Sequence, residues 1–188
     1  MKTNIADVLG TPVLGGALLG RSAFGKLRVL AQDGVSEPTP WFWDLKNIDV
    51  ASPSFTRECF LSLQALLRAQ RSMLIPVIAN ANSDVREDLQ VMFKDAGRAI
   101  VTCACDHRGR VKDVGLIGAL EAHAEITLAM VIERGETDAG ELTKAQGGEK
   151  KVGQTAWNNR LASLVELGAL IELPHGRAKR YRPVVQEG

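Results

Sequence analysis

The strongest constraint on the fold of this 188-residue chain is the order of patterns in its last third. Trp157, Leu161 and Leu164 recur at three- and four-residue spacing, which predicts one apolar face of a helix. Gly168 follows at a position where helices commonly end in a left-handed residue. An apolar run, a Pro-His-Gly turn and a basic run then occupy residues 169–185. We therefore expect a helix followed by a two-stranded hairpin.

Two further helices are expected before this one. Residues 120–134 show helical periodicity and are followed by Gly135. Asp138 and Glu141 have the three-residue spacing of a capping box, in which two side chains reciprocally bind backbone N–H groups. This spacing predicts a short helix that continues to Ala145. Residues 120–185 are therefore predicted to form three helices followed by one hairpin.

This segment resembles a winged helix-turn-helix domain. The resemblance rests on Arg160-Leu161, on a leucine three residues later, and on Gly168 with the hydrophobic strand after it. It implies that the chain binds double-stranded DNA. The charge distribution favours the same function, because residues 150–183 hold seven basic and two acidic residues, a net charge of +5. The rest of the chain is then −4, since the whole chain is only +1.

The predicted DNA contacts follow from position in this domain. Side chains at the start of the third helix can reach base edges in the major groove, whereas basic side chains of the hairpin contact phosphate or the minor groove. The predicted DNA-binding residues are Lys150, Lys151, Gln154, Thr155, Asn158, Asn159, Arg160, Ser163, Arg177, Lys179, Arg180 and Arg182. An alternative is a partner-switch protein, similar to an anti-sigma-factor antagonist, whose winged helix binds protein.

The first 117 residues alternate strand-like and helix-like segments. Strands are expected at 41–45, 73–79, 99–105 and 111–116, and helices at 53–70 and 83–96. Such alternation predicts an α/β fold with right-handed crossovers. We therefore expect an α/β domain over residues 1–117, followed by a small α+β winged-helix domain over residues 118–188.

The first domain resembles the STAS domains of sulphate transporters and anti-sigma-factor antagonists, and more closely their bacterial STAS-like relatives. The similarity lies in the serine-containing loop before the helix that opens Ser54-Phe55-Thr56-x-Glu58, and in a Gly20-Arg21 pair expected to precede an N-terminal helix. It implies an α/β sandwich that mediates dimerisation, partner binding or sensing. It also implies that Ser52 or Ser54 is phosphorylated by a kinase-like partner or contacts another regulatory protein. Helix N-capping explains a serine at either position as well.

Other chemistries find little support in the sequence. Cys103, Cys105 and His107 alternate along one strand, but residues two apart lie ~6.6 Å from each other, whereas zinc ligands need donor atoms within ~4 Å. We therefore predict packing there and no metal site. The glycine spacings fit no phosphate loop, so we expect neither a cofactor nor enzyme activity.

Composition bears on location and assembly. Three cysteines form no paired framework, and no apolar run approaches the ~20 residues of a membrane helix, so we expect a cytoplasmic protein without membrane contact. A homodimer is expected, because two-fold proteins bind two DNA half-sites about one helical turn apart.

Overall fold

A computed structural model describes residues 1–32, 34–106, 108–145, 152–175 and 178–187. The chain is a mixed α/β protein and divides into two compact units. Unit 1 comprises Met1–Ala119 with Glu187–Gly188, and unit 2 comprises Leu120–Gln186. Within the described ranges, no helix is long and apolar enough to cross a membrane.

Unit 1 is built on a mixed five-stranded sheet. The strands of unit 1, two of which lie outside this sheet, are β1 (Lys2–Asn4), β2 (Val13–Leu14), β3 (Thr39–Asp44), β4 (Val50–Ala51), β5 (Leu74–Ala79), β6 (Ala99–Cys105) and β7 (Val111–Gly118). The main sheet has the order β1-β3-β5-β6-β7, and β2 pairs separately with β4. Strands β1, β3, β5 and β6 are parallel, whereas β7 is antiparallel to β6. The carboxyl ends of β3, β5 and β6 therefore meet at one edge.

The helices of unit 1 are α1 (Ile5–Leu9), α2 (Gly16–Leu30), α3 (Pro53–Thr56), α4 (Ser62–Ala69) and α5 (Ser83–Asp95), and a π-helical turn (Arg57–Leu61) joins α3 to α4. The helices predicted at 53–70 and 83–96 are confirmed, although the π turn was not expected. The prediction that Gly20-Arg21 precedes a helix is wrong, because both residues lie inside α2. Gly20 is needed inside the helix, since a Cβ there would lie 3.0 Å from the carbonyl oxygen of Phe55.

An aromatic cluster fills the core of unit 1. Trp43 stacks on Phe60 with ring centroids 5.3 Å apart, and Phe55 meets Phe60 edge to face at 5.4 Å. Trp41 is fully buried, and its indole N–H donates to Thr3 Oγ1 at 2.9 Å. This hydrogen bond satisfies the one polar atom of the Trp41 ring and ties β3 to the edge strand β1.

Unit 2 contains α6 (Ala122–Arg134), α7 (Ala139–Ala145), α8 (Gln154–Glu166), β8 (Leu170–His175) and β9 (Ala178–Pro183), with β8 antiparallel to β9. The capping box is confirmed: Glu141 N–H donates to Asp138 Oδ1 at 2.9 Å, and Asp138 N–H donates to Glu141 Oε2 at 3.3 Å. Gly168 has φ +75°, the left-handed conformation expected after a helix. The predicted turn is partly wrong, since residues 174 and 175 belong to β8; Gly176 lies outside the described residues.

Candidate nucleic-acid interface

The orientation of α8 is fixed by its apolar face. Trp157, Leu161 and Leu164 are buried in unit 2, as the three- and four-residue spacing predicted. The opposite face of the helix faces solvent. It carries five of the predicted DNA-contacting side chains, all exposed: Gln154, Thr155, Asn158, Asn159 and Ser163.

Part of this exposed surface lines a groove of roughly 550 Å³. Gln154, Asn158 and Asn159 form one side of it, and the first residues of α7 with Lys179 and Tyr181 of β9 form the rest. The structure thus places the amides of α8 and a cation of the hairpin around one concave surface. Amide side chains and a cation are the groups that pair with base edges and phosphates, respectively.

Arg160 does not join this groove. Its guanidinium carbon lies 5.0 Å from the centre of the Trp157 ring, and the residue is half-buried. A cation over an indole face is attracted by the ring quadrupole, so this arginine supports the packing of α8. To contact DNA as predicted, Arg160 would have to give up its interaction with the Trp157 ring.

Arg180 lies within a group of three carboxylates. Its guanidinium donates to Glu136 at 2.5 Å and to Glu141 at 3.2 Å, and it lies 3.9 Å from Asp138. The hydrogen bond to Glu136 raises the pKa of Arg180, so the side chain stays cationic. A phosphate would have to compete with these carboxylates for the guanidinium.

Lys179 is paired in the same way, since its ammonium lies 3.1 Å from Glu172. The hydrogen bond to this carboxylate raises the pKa of Lys179. Arg182, in contrast, is exposed and has no carboxylate partner among the described residues. Among the described cations of the hairpin, Arg182 is therefore the one most accessible to a phosphate. Lys150, Lys151 and Arg177, the other predicted basic contacts, lie outside the described residues.

The serines predicted as modification or partner sites lie in unit 1, at the start of α3. Ser52 is the N-cap, and its Oγ accepts hydrogen bonds from the backbone N–H groups of Phe55 at 3.2 Å and Gly16 at 3.0 Å. Ser54 Oγ lies 3.3 Å from Ser52 Oγ. The capping explanation of Ser52 is thus confirmed, and the same hydroxyl also ties α2 to α3.

The inference that one strand keeps the donor atoms of Cys103 and Cys105 more than ~4 Å apart is wrong. The Sγ atoms of Cys103 and Cys105 are 3.8 Å apart, although both residues lie on β6. The ladder between β6 and β7 shifts register between Thr102 and Ala104, and such bulges redirect side chains. Among the described residues, no group of three or more potential metal ligands occurs, and His107 lies outside them.

Comparison with known proteins identifies no relative. Neither a protein-family model nor a curated protein nor a solved structure matches this chain.

Proposed function

We propose that this protein is a DNA-binding transcriptional regulator, with a winged helix in residues 118–188 and a STAS-like domain in residues 1–117. The observation that carries the proposal is the set of exposed amides on α8, at the edge of a groove shared with the hairpin. Asn and Gln can each bind adenine through two hydrogen bonds in the major groove, which discriminates by about 1–3 kcal/mol against another base.

Within this proposal the side chains divide into two classes. Asn158 and Asn159 read bases, because they are exposed on the helix and lie next to the groove. Arg182 contacts phosphate, which adds affinity for every sequence but carries no sequence information. Affinity falls as the salt concentration rises, and each phosphate contact makes the slope of log affinity against log salt concentration steeper by about 0.9.

A binding experiment with three variants tests the proposal. Preferred duplexes are first selected from a random library, and affinities for a selected and a scrambled duplex are then measured by fluorescence anisotropy at several salt concentrations. Arg182→Gln is expected to weaken binding to both duplexes and to lower the salt slope by about 0.9. Asn158→Ala is expected to lose preference for the selected duplex while binding to the scrambled one is retained.

Arg28→Gln is the matched control, because it removes the same charge from an exposed position of α2 in unit 1. Unchanged affinity, salt slope and preference in both Arg182→Gln and Asn158→Ala would contradict the proposal.

A protein-binding role for unit 2 is the second candidate. It is favoured by the pairing of Lys179 and Arg180 with carboxylates, which leaves less free positive charge on the hairpin than the sequence predicts. This role predicts that the wild-type protein selects no duplex and shows no salt-dependent DNA binding even at low ionic strength.

We further propose that the protein is a homodimer and that unit 1 carries the dimer contact. Two copies would present two α8 helices to the two half-sites of a palindromic operator. Sedimentation at micromolar concentration should give twice the 20.3 kDa chain mass. A single 20.3 kDa species would contradict this.

A further inference from the structure

Polar and thiol side chains meet at the carboxyl ends of β3, β5 and β6. Asp44 ends β3, Asn80 directly follows β5, and Cys103 and Cys105 lie in the last part of β6. Asp44 is buried. Its carboxylate accepts a hydrogen bond from Asn80 Nδ2 at 2.8 Å and forms an ion pair with the ammonium of Lys2 at 2.9 Å. This edge of an α/β sheet is where such folds commonly bind ligands.

Asn80 fixes the backbone of both cysteines. Its N–H donates to the carbonyl oxygen of Cys103 at 3.0 Å, and its Oδ1 accepts the N–H of Cys105 at 2.7 Å. The residue adopts φ +56°, which a non-glycine residue adopts rarely and asparagine more readily than most. Because one side chain binds Asp44 and the cysteine strand together, the two thiols are held in a defined arrangement.

The thiol spacing matches a tetrahedral metal site. Two sulfur ligands at ~2.3 Å from a tetrahedral zinc lie ~3.8 Å from each other. The Sγ atoms of Cys103 and Cys105 are 3.8 Å apart. Cys105 is half-exposed, so an ion can reach the pair from solvent, while Cys103 is buried.

We propose that Cys103 and Cys105 form a two-thiolate binding site for a thiophilic divalent cation of the Zn²⁺ and Cd²⁺ class. Binding converts the two thiols to thiolates, releases two protons to solvent and displaces waters from the hydration shell of the ion, with no change of oxidation state. Water fills the remaining coordination positions, which leaves them open to a further ligand. The site requires no DNA binding, so it stands or falls separately from the proposed function.

Titration of the reduced full-length protein with Cd²⁺ tests this site. We expect one ion per chain, a thiolate-to-cadmium charge-transfer absorbance in the ultraviolet, and release of two protons per ion in weak buffer. Competition with a chromophoric chelator gives the affinity for Cd²⁺ and for Zn²⁺.

Three variants complete the test, each checked for folding by circular dichroism. Cys105→Ser is expected to lose most of the absorbance and more than ~100-fold in affinity, beyond the loss typical of an outer-shell change. Asn80→Gly retains both thiols and suits the positive φ, and the lost support should weaken affinity by about 10- to 100-fold. Cys59→Ser is the matched control, because Cys59 is fully buried and burial raises its pKa to about 12.

Absence of the absorbance in the wild type would overturn the proposal. So would wild-type affinity in Cys105→Ser, or loss of the absorbance in a folded Cys59→Ser.

Discussion

Two glycines of α2 differ sharply in their surroundings and allow a direct test of the packing in unit 1. A Cβ added at Gly20 would lie 2.9 Å from Glu58 Cβ and 3.0 Å from the carbonyl oxygen of Phe55. A Cβ added at Gly25 would have no neighbour within 4 Å. Both residues lie inside the same helix, so the two Gly→Ala variants differ mainly in this contact.

The expected stabilities follow from two opposing terms. Alanine is favoured over glycine in a helix interior by about 1 kcal/mol, and this gain applies at both positions. Overpacking costs typically about 1–3 kcal/mol, and it applies at Gly20 alone because the atoms it would meet include backbone. Gly25→Ala should therefore gain up to about 1 kcal/mol. Gly20→Ala should be less stable than Gly25→Ala by about 1–3 kcal/mol.

Urea unfolding followed by tryptophan fluorescence measures this difference. A Trp157→Phe background leaves Trp41 and Trp43, both in unit 1, as the only fluorescent indoles, so the signal reports on that unit. If the two alanine variants had free energies of unfolding within about 0.5 kcal/mol of each other, the close approach of α2 to α3 would be refuted.

Three further outcomes are expected. Burial raises the pKa of Asp44, but the hydrogen bonds from Lys2 and Asn80 lower it by more than burial raises it. The pKa of this carboxyl group is therefore below its usual value. The carboxylate therefore stabilises the fold above pH ~4, and this contribution is lost as the pH falls through the lowered folded-state pKa. Asp44→Asn should reduce the urea midpoint more at pH 7 than at pH 3, and equal losses would contradict the assignment. Asp138→Ala should lower the free energy of unfolding of unit 2 by about 1 kcal/mol, measured by Trp157 fluorescence, whereas Asp138→Asn should retain most of it. Ser52→Ala should cost unit 1 about 1 kcal/mol, and Ser52→Asp, which can still cap α3, should cost less in the same urea assay.

The sequence predicted the longer elements well because their patterns are local. The spacing of Trp157, Leu161 and Leu164 identified the buried face of α8, and the Asp138 and Glu141 spacing identified the start of α7. Each of these signals depends on residues within one or two helical turns. The physical cause of the element is therefore contained in the segment itself.

Features that depend on distant partners were missed. Strand β1 is a three-residue Lys-Thr-Asn segment without periodicity, and it is a strand because it pairs with β3, about forty residues away. The charge sum over residues 150–183 treated Arg180 as an unpaired cation. Its carboxylate partners Glu136 and Glu141 lie 44 and 39 residues earlier in the chain. A charge sum over residues 150–183 could not include them.

The thiol pair was misjudged for a related reason. The spacing argument assumed a regular strand, in which residues two apart are ~6.6 Å from each other. In the structure β6 has a register shift between Thr102 and Ala104, Asn80 binds the backbone N–H of Cys105, and the two sulfur atoms lie 3.8 Å apart. The sequence between Cys103 and Cys105 contains no signal for either.

The π turn between α3 and α4 has a consequence for how the length of unit 1 can vary. Phe55 and Phe60 are five residues apart and both fully buried, because the Arg57–Leu61 turn holds one residue more than an α-helical turn. Deleting one residue within this turn would allow it to close as regular α-helix, while Phe55 and Leu63 keep their faces toward the core. The same deletion in the middle of α5 would rotate every later residue by about 100° and expose part of its buried face. A one-residue deletion within the helices of unit 1 is thus best accommodated at residues 57–61.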